Sequence, residues 1–238
     1  IDPAEIGKNI ETAIPIVGDV LHVLGILADM VNEKAPTEWL KTLAKEKTKN
    51  VRAFSDDMHG EYVKPQYLIS LLSEITGEND IITTEVGQNQ IWAANHYNVR
   101  KPRTFISSGG LGTMGFGLPA AIGAQVACPD KIVIDIAGDG SIQMNIQELI
   151  TALNNKLPVI VAILNNGYLG MVRQWQELLH GRRYSSTDLG NNPDFVKVAQ
   201  AFGAEAIRVD KFEDIEKAIK TAMSERGKPT VIDFVVAR

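Results

Sequence analysis

The sequence predicts an α/β fold: a doubly wound, mainly parallel sheet with helices on both faces, preceded by the remnant of another α/β domain. Three observations predict it. From Pro65 onward, strand-length apolar runs alternate with helix-length amphipathic ones, which is the pattern of successive βαβ units. Two runs, residues 131–137 and 158–164, are apolar almost throughout, as strands buried on both faces are. Each of these two ends in glycine and polar residues, Gly138-Asp139-Gly140-Ser141 and Asn165-Asn166-Gly167-Tyr168, where an open parallel sheet presents its ligand site.

The elements follow in order. Residues 1–31 read as strand, turn, strand and helix, with the Gly18-Asp19 break ahead of the helix. Residues 36–50 read as a lysine-rich helix carrying Trp39, Leu40 and Leu43 on one stripe. Residues 1–50 are thus expected to be the end of a preceding domain plus a helical linker. Residues 51–64 are polar and aperiodic, a linker, and the main domain occupies 65–238. Within it, helices are expected at 65–76, 115–127, 145–155, 169–180, 194–202 and 212–224, the first opened by Pro65. Strands are expected at 80–85, 104–107, 131–137, 158–164, 205–209 and 230–236.

Composition narrows the function. The net charge is −5 with both signs interspersed, so no clustered basic face marks a nucleic-acid partner. The longest apolar runs are far too short to span a bilayer. Cys128 is the lone cysteine, which forbids an intrachain disulfide and fits a reducing compartment. The chain opens on Ile1 rather than Met and is read as a piece of a longer polypeptide. The histidines, His22, His59, His96 and His180, have no ligand spacing and receive no role. Trp39, Trp92 and the lysines of 41–49 read as a helix face and solvated charge.

The two strand ends carry the chemistry. If those strands are neighbours, Asp139 and Asn166 face each other across one sheet edge. One carboxylate plus one amide oxygen is what Mg2+ accepts when phosphate oxygens and water complete its octahedron. The glycines beside Asp139 let backbone approach phosphate, and a helix from about Asn145 would add its positive end. Taken singly, Gly-Asp-Gly and Asn-Asn-Gly are common turns. Together, after two buried strands, they point to a metal–diphosphate site. No glycine-rich loop leads from the first strand of this domain into a helix with a distal acidic residue, which argues against an ordinary dinucleotide site.

This arrangement resembles the signature of thiamine-diphosphate enzymes. The stretch Ser107-Ser108-Gly109-Gly110-Leu111-Gly112-Thr113-Met114-Gly115-Phe116-Gly117, the stretch Glu85-Val86-Gly87-Gln88-Asn89-Gln90-Ile91-Trp92 and the stretch Leu169-Gly170-Met171-Val172-Arg173-Gln174-Trp175 sharpen it. They resemble the large subunit of acetohydroxyacid synthase (acetolactate synthase), from Pro65 onward and also in the opening residues 1–9.

The resemblance implies a set of roles. Asp139 and Asn166 would ligate Mg2+ by side chain and Tyr168 by its carbonyl. Gly138, Gly140 and Ser141 would meet the diphosphate. Val86, Gly87, Gln88 and Asn89 would wrap its other side, Asn89 standing where a histidine is common. Gly112 and Met114 would meet the rings, Met114 propping the cofactor into a bent form. Leu169, Gly170 and Met171 would complete the cradle. Met171, Val172 and Trp175 would line the substrate pocket. Core filler is the plain alternative for Met114, weakened by its place in a glycine-rich loop rather than on an apolar helix face, and spacing alone makes Trp175 a packing residue.

The resemblance also implies pyruvate and 2-ketobutyrate as substrates, thiamine diphosphate and Mg2+ as cofactors, and FAD held mostly by absent segments. A homodimer or higher oligomer with active sites between subunits, a small regulatory subunit, and a cytoplasmic location (plastid in a plant) follow from it too. The activating glutamate of the family would lie in an N-terminal domain absent here; Glu85 and Glu148 are not its equivalents. The fragment alone is therefore expected to be inactive. Rival readings are another thiamine-diphosphate enzyme of pyruvate oxidase or glyoxylate carboligase type, or a non-catalytic cofactor-binding module.

Overall fold

The computed structural model describes residues 1–32, 35, 37–49 and 62–237. The chain divides into two compact units, Ile1–Ala53 and Phe54–Arg238.

In the first unit a 3-10 turn occupies Pro3–Glu5, α1 spans Val20–Met30 and α2 spans Glu38–Lys49. Asp19 starts α1 by accepting from the N–H groups of Leu21 (2.9 Å) and His22. Thr37 does the same for α2 at Leu40. The strands expected within residues 1–17 are absent among the described residues. An apolar run becomes a strand only with a ladder partner for its N–H and C=O groups, and this stretch has none.

The second unit is a six-stranded sheet, parallel throughout. After α3 (Pro65–Ile75) come β1 (Ile81–Thr84), α4 (Gln88–His96), β2 (Phe105–Ser107) and α5 (Gly117–Ala127). Then follow β3 (Val133–Gly138), α6 (Asp139–Ile142), a 3-10 turn at Ile146–Glu148, α7 (Leu149–Asn154) and β4 (Ile160–Asn165). Next are α8 (Gly170–Leu179), α9 (Phe195–Ala201), β5 (Glu205–Val209), α10 (Ile215–Ser224) and β6 (Thr230–Val235). The strand order is β2-β1-β3-β4-β6-β5, so the winding reverses between β1 and β3.

Period-2 alternation in the strands feeds two separate cores. Ile134, Ile136, Ala162 and Phe234 pack against α3, α4 and α10 on one face. Val133, Val161, Ile163 and Val231 pack against α5, α7 and α9 on the other. Both faces are covered, as an all-parallel sheet requires.

Two expectations are corrected in this unit. The helix expected over 145–155 is broken: the chain turns helical at once after β3, as α6, then passes through a 3-10 turn into α7. Asn145, with φ −136°, is not helical, and its side chain is spent on the carbonyl of Gly115 at 2.8 Å. Helix α4 was not expected; its residues carry no clear apolar stripe, yet Ala93 is fully buried. Most of the expected 51–64 linker lies outside the described residues. Its end does not behave as a linker, because Val63 is buried and its carbonyl accepts from Ala237 N–H at 2.9 Å.

Candidate functional site

One pocket opens at the carboxyl ends of β1, β3 and β4, beside the reversal in strand order. That is where a doubly wound sheet leaves a crevice, because successive crossovers depart to opposite sides. Four stretches line it. The turn after β1 brings Val86, Gly87, Gln88 and Asn89. The glycine-rich loop ahead of α5 brings Gly112 and Met114. The turn after β3 brings Gly138, Asp139, Gly140 and Ser141. The exit from β4 and the start of α8 bring Asn166, Tyr168, Leu169, Gly170, Met171 and Val172.

Strands β3 and β4 are neighbours, with Gly138 opposite Leu164, so the turns that carry Asp139 and Asn166 lie side by side at the sheet edge. Both residues are buried. Asp139 Oδ2 accepts from Gly167 N–H at 2.8 Å and from Asn192 Nδ2 at 2.6 Å. Among the described residues, Asp139 Oδ1 accepts only from the adjacent Gly140 N–H, at 3.1 Å. Counting lone pairs leaves Oδ1 as the oxygen with capacity for a cation. Burial pushes the Asp139 carboxyl up to about 6, against the opposing pull of the Asn192, Gly167 and Gly140 donors. Asn166 Oδ1 accepts from Tyr168 N–H at 3.0 Å, which closes the turn and fixes the amide. A Cβ on Gly140 would lie 2.5 Å from Leu169 Cδ2, so that glycine permits the close packing of the two turns.

The expected Mg–diphosphate group fits this donor set. No lysine, arginine or histidine lines the pocket among the described residues, and its one carboxylate is Asp139. A diphosphate there has no side-chain cation to meet it, so its charge calls for a bound metal. Nor is there a group of three or more His, Cys, Asp or Glu side chains able to cage a metal among the described residues. One carboxylate and neutral oxygens suit Mg2+ when phosphates supply the remaining ligands.

Several placements differ from the sequence reading. Trp175 is not among the pocket's lining residues and is 53% exposed in this chain, so it is not core packing. Helix α8 starts at Gly170, so Tyr168 lies outside it and seven-residue spacing from Tyr168 carries no face. Met114, by contrast, lies on the pocket wall, where the resemblance implies it. Trp92, read as part of a solvated helix face, is half-buried and lines the pocket from α4. Its spacing three residues after Asn89 is the signal that could have found it, had α4 been recognised. Asn192, Glu85 and Asn145 were also missed as supporting residues. No helix among the described residues is long and apolar enough to cross a membrane.

Comparison with known proteins adds to this geometry. Residues 85–234 match the family model described as thiamine pyrophosphate enzyme, C-terminal TPP binding domain. The chain is 46% identical to the acetolactate synthase large subunit of Corynebacterium glutamicum, over 99% of this chain and 39% of that protein. It is 44% identical to a probable acetolactate synthase large subunit of Methanocaldococcus jannaschii, over 99% of this chain and 41% of that protein. It is also 44% identical to the mitochondrial acetolactate synthase catalytic subunit of Saccharomyces cerevisiae, over 99% of this chain and 35% of that protein. The chain thus spans well under half the length of these relatives.

Proposed function

We propose a function from one premise: this chain belongs to the family of thiamine pyrophosphate enzymes, through their C-terminal TPP-binding domain. On that premise it is the diphosphate- and metal-holding part of a longer acetohydroxyacid synthase, which joins pyruvate to a second pyruvate or to 2-ketobutyrate. The observation that carries the reading is convergence. Every residue assigned to cofactor or metal from the sequence lines one pocket at the switch point of the sheet.

The roles follow from chemistry. Asp139, through Oδ1, and the Asn166 amide would hold Mg2+, with the Tyr168 carbonyl as a third ligand. Gly138, Gly140 and Ser141 would lie along the diphosphate, opposite Val86, Gly87, Gln88 and Asn89. When bound, thiamine diphosphate supplies the carbon nucleophile and the electron sink that decarboxylation of a 2-keto acid needs. Gly112 and Met114 would bear on its rings, with Leu169 and Gly170 beside them. Val86, Leu164, Leu169, Met171 and Val172 give the pocket apolar lining, which would exclude water from a reacting carbon held against it. Met171 and Val172 would face the substrate. The first unit is read as the end of a preceding domain, FAD and the activating glutamate are assigned to segments outside this chain, and the assembly to a homodimer or larger oligomer, with or without a regulatory subunit.

Isothermal titration of the full-length protein tests the reading. Thiamine diphosphate should bind with Mg2+ present and far more weakly without it, and Asp139→Ala should abolish the metal-dependent part. Unchanged affinity in Asp139→Ala would overturn the ligand assignment.

A further inference from the structure

We infer that Glu85 is a positioning residue: it clamps the Gly115 peptide and the first turn of α5, and so sets where Met114 stands in the pocket. The inference rests on the proposed reading of the pocket and deepens it.

Glu85 directly follows β1 and is completely buried. Among the described residues no lysine, arginine or histidine bonds to it; its partners are backbone amides. Glu85 Oε2 accepts from Gly115 N–H at 2.6 Å, and Oε1 accepts from Leu118 N–H at 3.2 Å. The Gly115 peptide is held on its other side as well, where Asn145 Nδ2 donates to Gly115 O at 2.8 Å. Gly115 has φ +90°, and a Cβ there would lie 2.8 Å from Met144 Cβ. The residue next to Met114 therefore has its N–H, its carbonyl and its backbone angle all set. Met114 lines the pocket one residue away.

The strand beside it completes the clamp. Thr83 Oγ1 lies 3.0 Å from Gly117 O and 3.2 Å from Asp135 Oδ1. A hydroxyl has one hydrogen, and a carbonyl can only accept, so that hydrogen goes to Gly117. Asp135 Oδ1 is the hydroxyl's second neighbour. Burial raises the Asp135 carboxyl well above the carboxylate range, with the charge of Glu85 adding to it. The pair's single negative charge thus sits on Glu85. That is where backbone N–H groups and the N-terminal end of the eleven-residue helix α5 favour it. Peptides 115–118 are gripped at four points, all by side chains with no other part in the pocket.

The test separates the two ends of the ligand. Full-length wild-type and Glu85→Gln proteins are titrated with thiamine diphosphate and with inorganic pyrophosphate, each with Mg2+, while amide exchange is followed at Gly115 and Leu118. Gln keeps the volume but turns an NH2 toward one of the two N–H donors. The expected result is an about ten-fold rise in Kd for thiamine diphosphate, no change for pyrophosphate, and faster exchange at Gly115 or Leu118. Equal weakening of both ligands, or neither weakened, overturns the inference and leaves the reading of the pocket standing. A wild type that binds neither ligand overturns that reading itself. If Glu85→Gln does not fold, Asn145→Ala frees the same peptide from its carbonyl side and is read by the same criteria.

Discussion

Asn192 holds Asp139: its Nδ2 donates to Asp139 Oδ2 at 2.6 Å, and also reaches Asn165 Oδ1 at 3.3 Å. Asn165 in turn donates to Asp233, which pairs with Arg208 on the edge strand. The carboxylate proposed to bind metal is therefore the inner end of a side-chain chain that runs across three strands.

Asn192→Ala should weaken Mg2+ without touching a metal ligand. Losing the donor leaves Asp139 Oδ2 held by the Gly167 N–H alone, and outer-shell partners of this kind are worth about 10–100-fold in metal affinity. Titrating Mg2+ at fixed thiamine diphosphate, with Trp92 fluorescence as the signal, measures the shift. Saturating Mg2+ should restore cofactor binding, whereas it would not rescue Asp139→Ala.

Trp175→Leu should change substrate choice at little cost in stability. The side chain is 53% exposed in this chain, so its removal empties no core. It lies four residues after Met171 and three after Val172 on α8, which puts it on the helix face next to the pocket. An apolar wall separates substrates differing by one methylene by about 1–3 kcal/mol. Competition between pyruvate and 2-ketobutyrate in the full-length enzyme should show a shift toward acetolactate. An unchanged product ratio would leave Trp175 without a part in specificity.

Glu85 gives stability a pH dependence of definite sign. Burial raises its carboxyl from 4.5 to about 6, with the amides of Leu118 and Gly115 pulling the other way. A raised folded-state value means the group's contribution is fully present below about 4.5 and is lost as pH climbs through 6. The loss is about 2 kcal/mol at 1.36 kcal/mol per unit. Urea denaturation between pH 4 and 7 should show wild type losing more stability than Glu85→Gln across that window.

Residues 1–238 alone should form no acetolactate. Asp139 is the single carboxylate on the pocket wall among the described residues, and Glu85 is occupied by backbone donors. Neither is free to exchange a proton with a bound aminopyrimidine. Product above a buffer control from the purified fragment would contradict this.

The parts of this structure legible from sequence are those with a local signal. Strands β3 and β4 are buried on both faces, so their apolar runs stand out, and the polar residues after them mark the site. Helix α4 was hidden because its buried face is small, Ala93 and Asn89, and its amphipathic pattern is correspondingly weak. The apolar run at 14–17 looked like a strand because apolarity does not reveal whether a ladder partner exists. Asn192 and Glu85 act through residues far along the chain, and a lone polar residue carries no periodicity. The resemblance raises Glu85 only to set it aside as the family's activating glutamate, when its partners are the N–H groups of a loop thirty residues away.

The reversal in strand order bears on how the molecule folds. The pocket's rim belongs to β1, β3 and β4, and along the chain the first two are separated by β2, which pairs on the far side of β1. Closing such pairs costs loop entropy before any contact compensates for it, which makes parallel sheets slow to fold. Until β3 lies between its two neighbours the four lining stretches have no common surface, and an early collapsed chain offers a cofactor nothing to bind. A cofactor that binds only the finished sheet stabilises it by mass action.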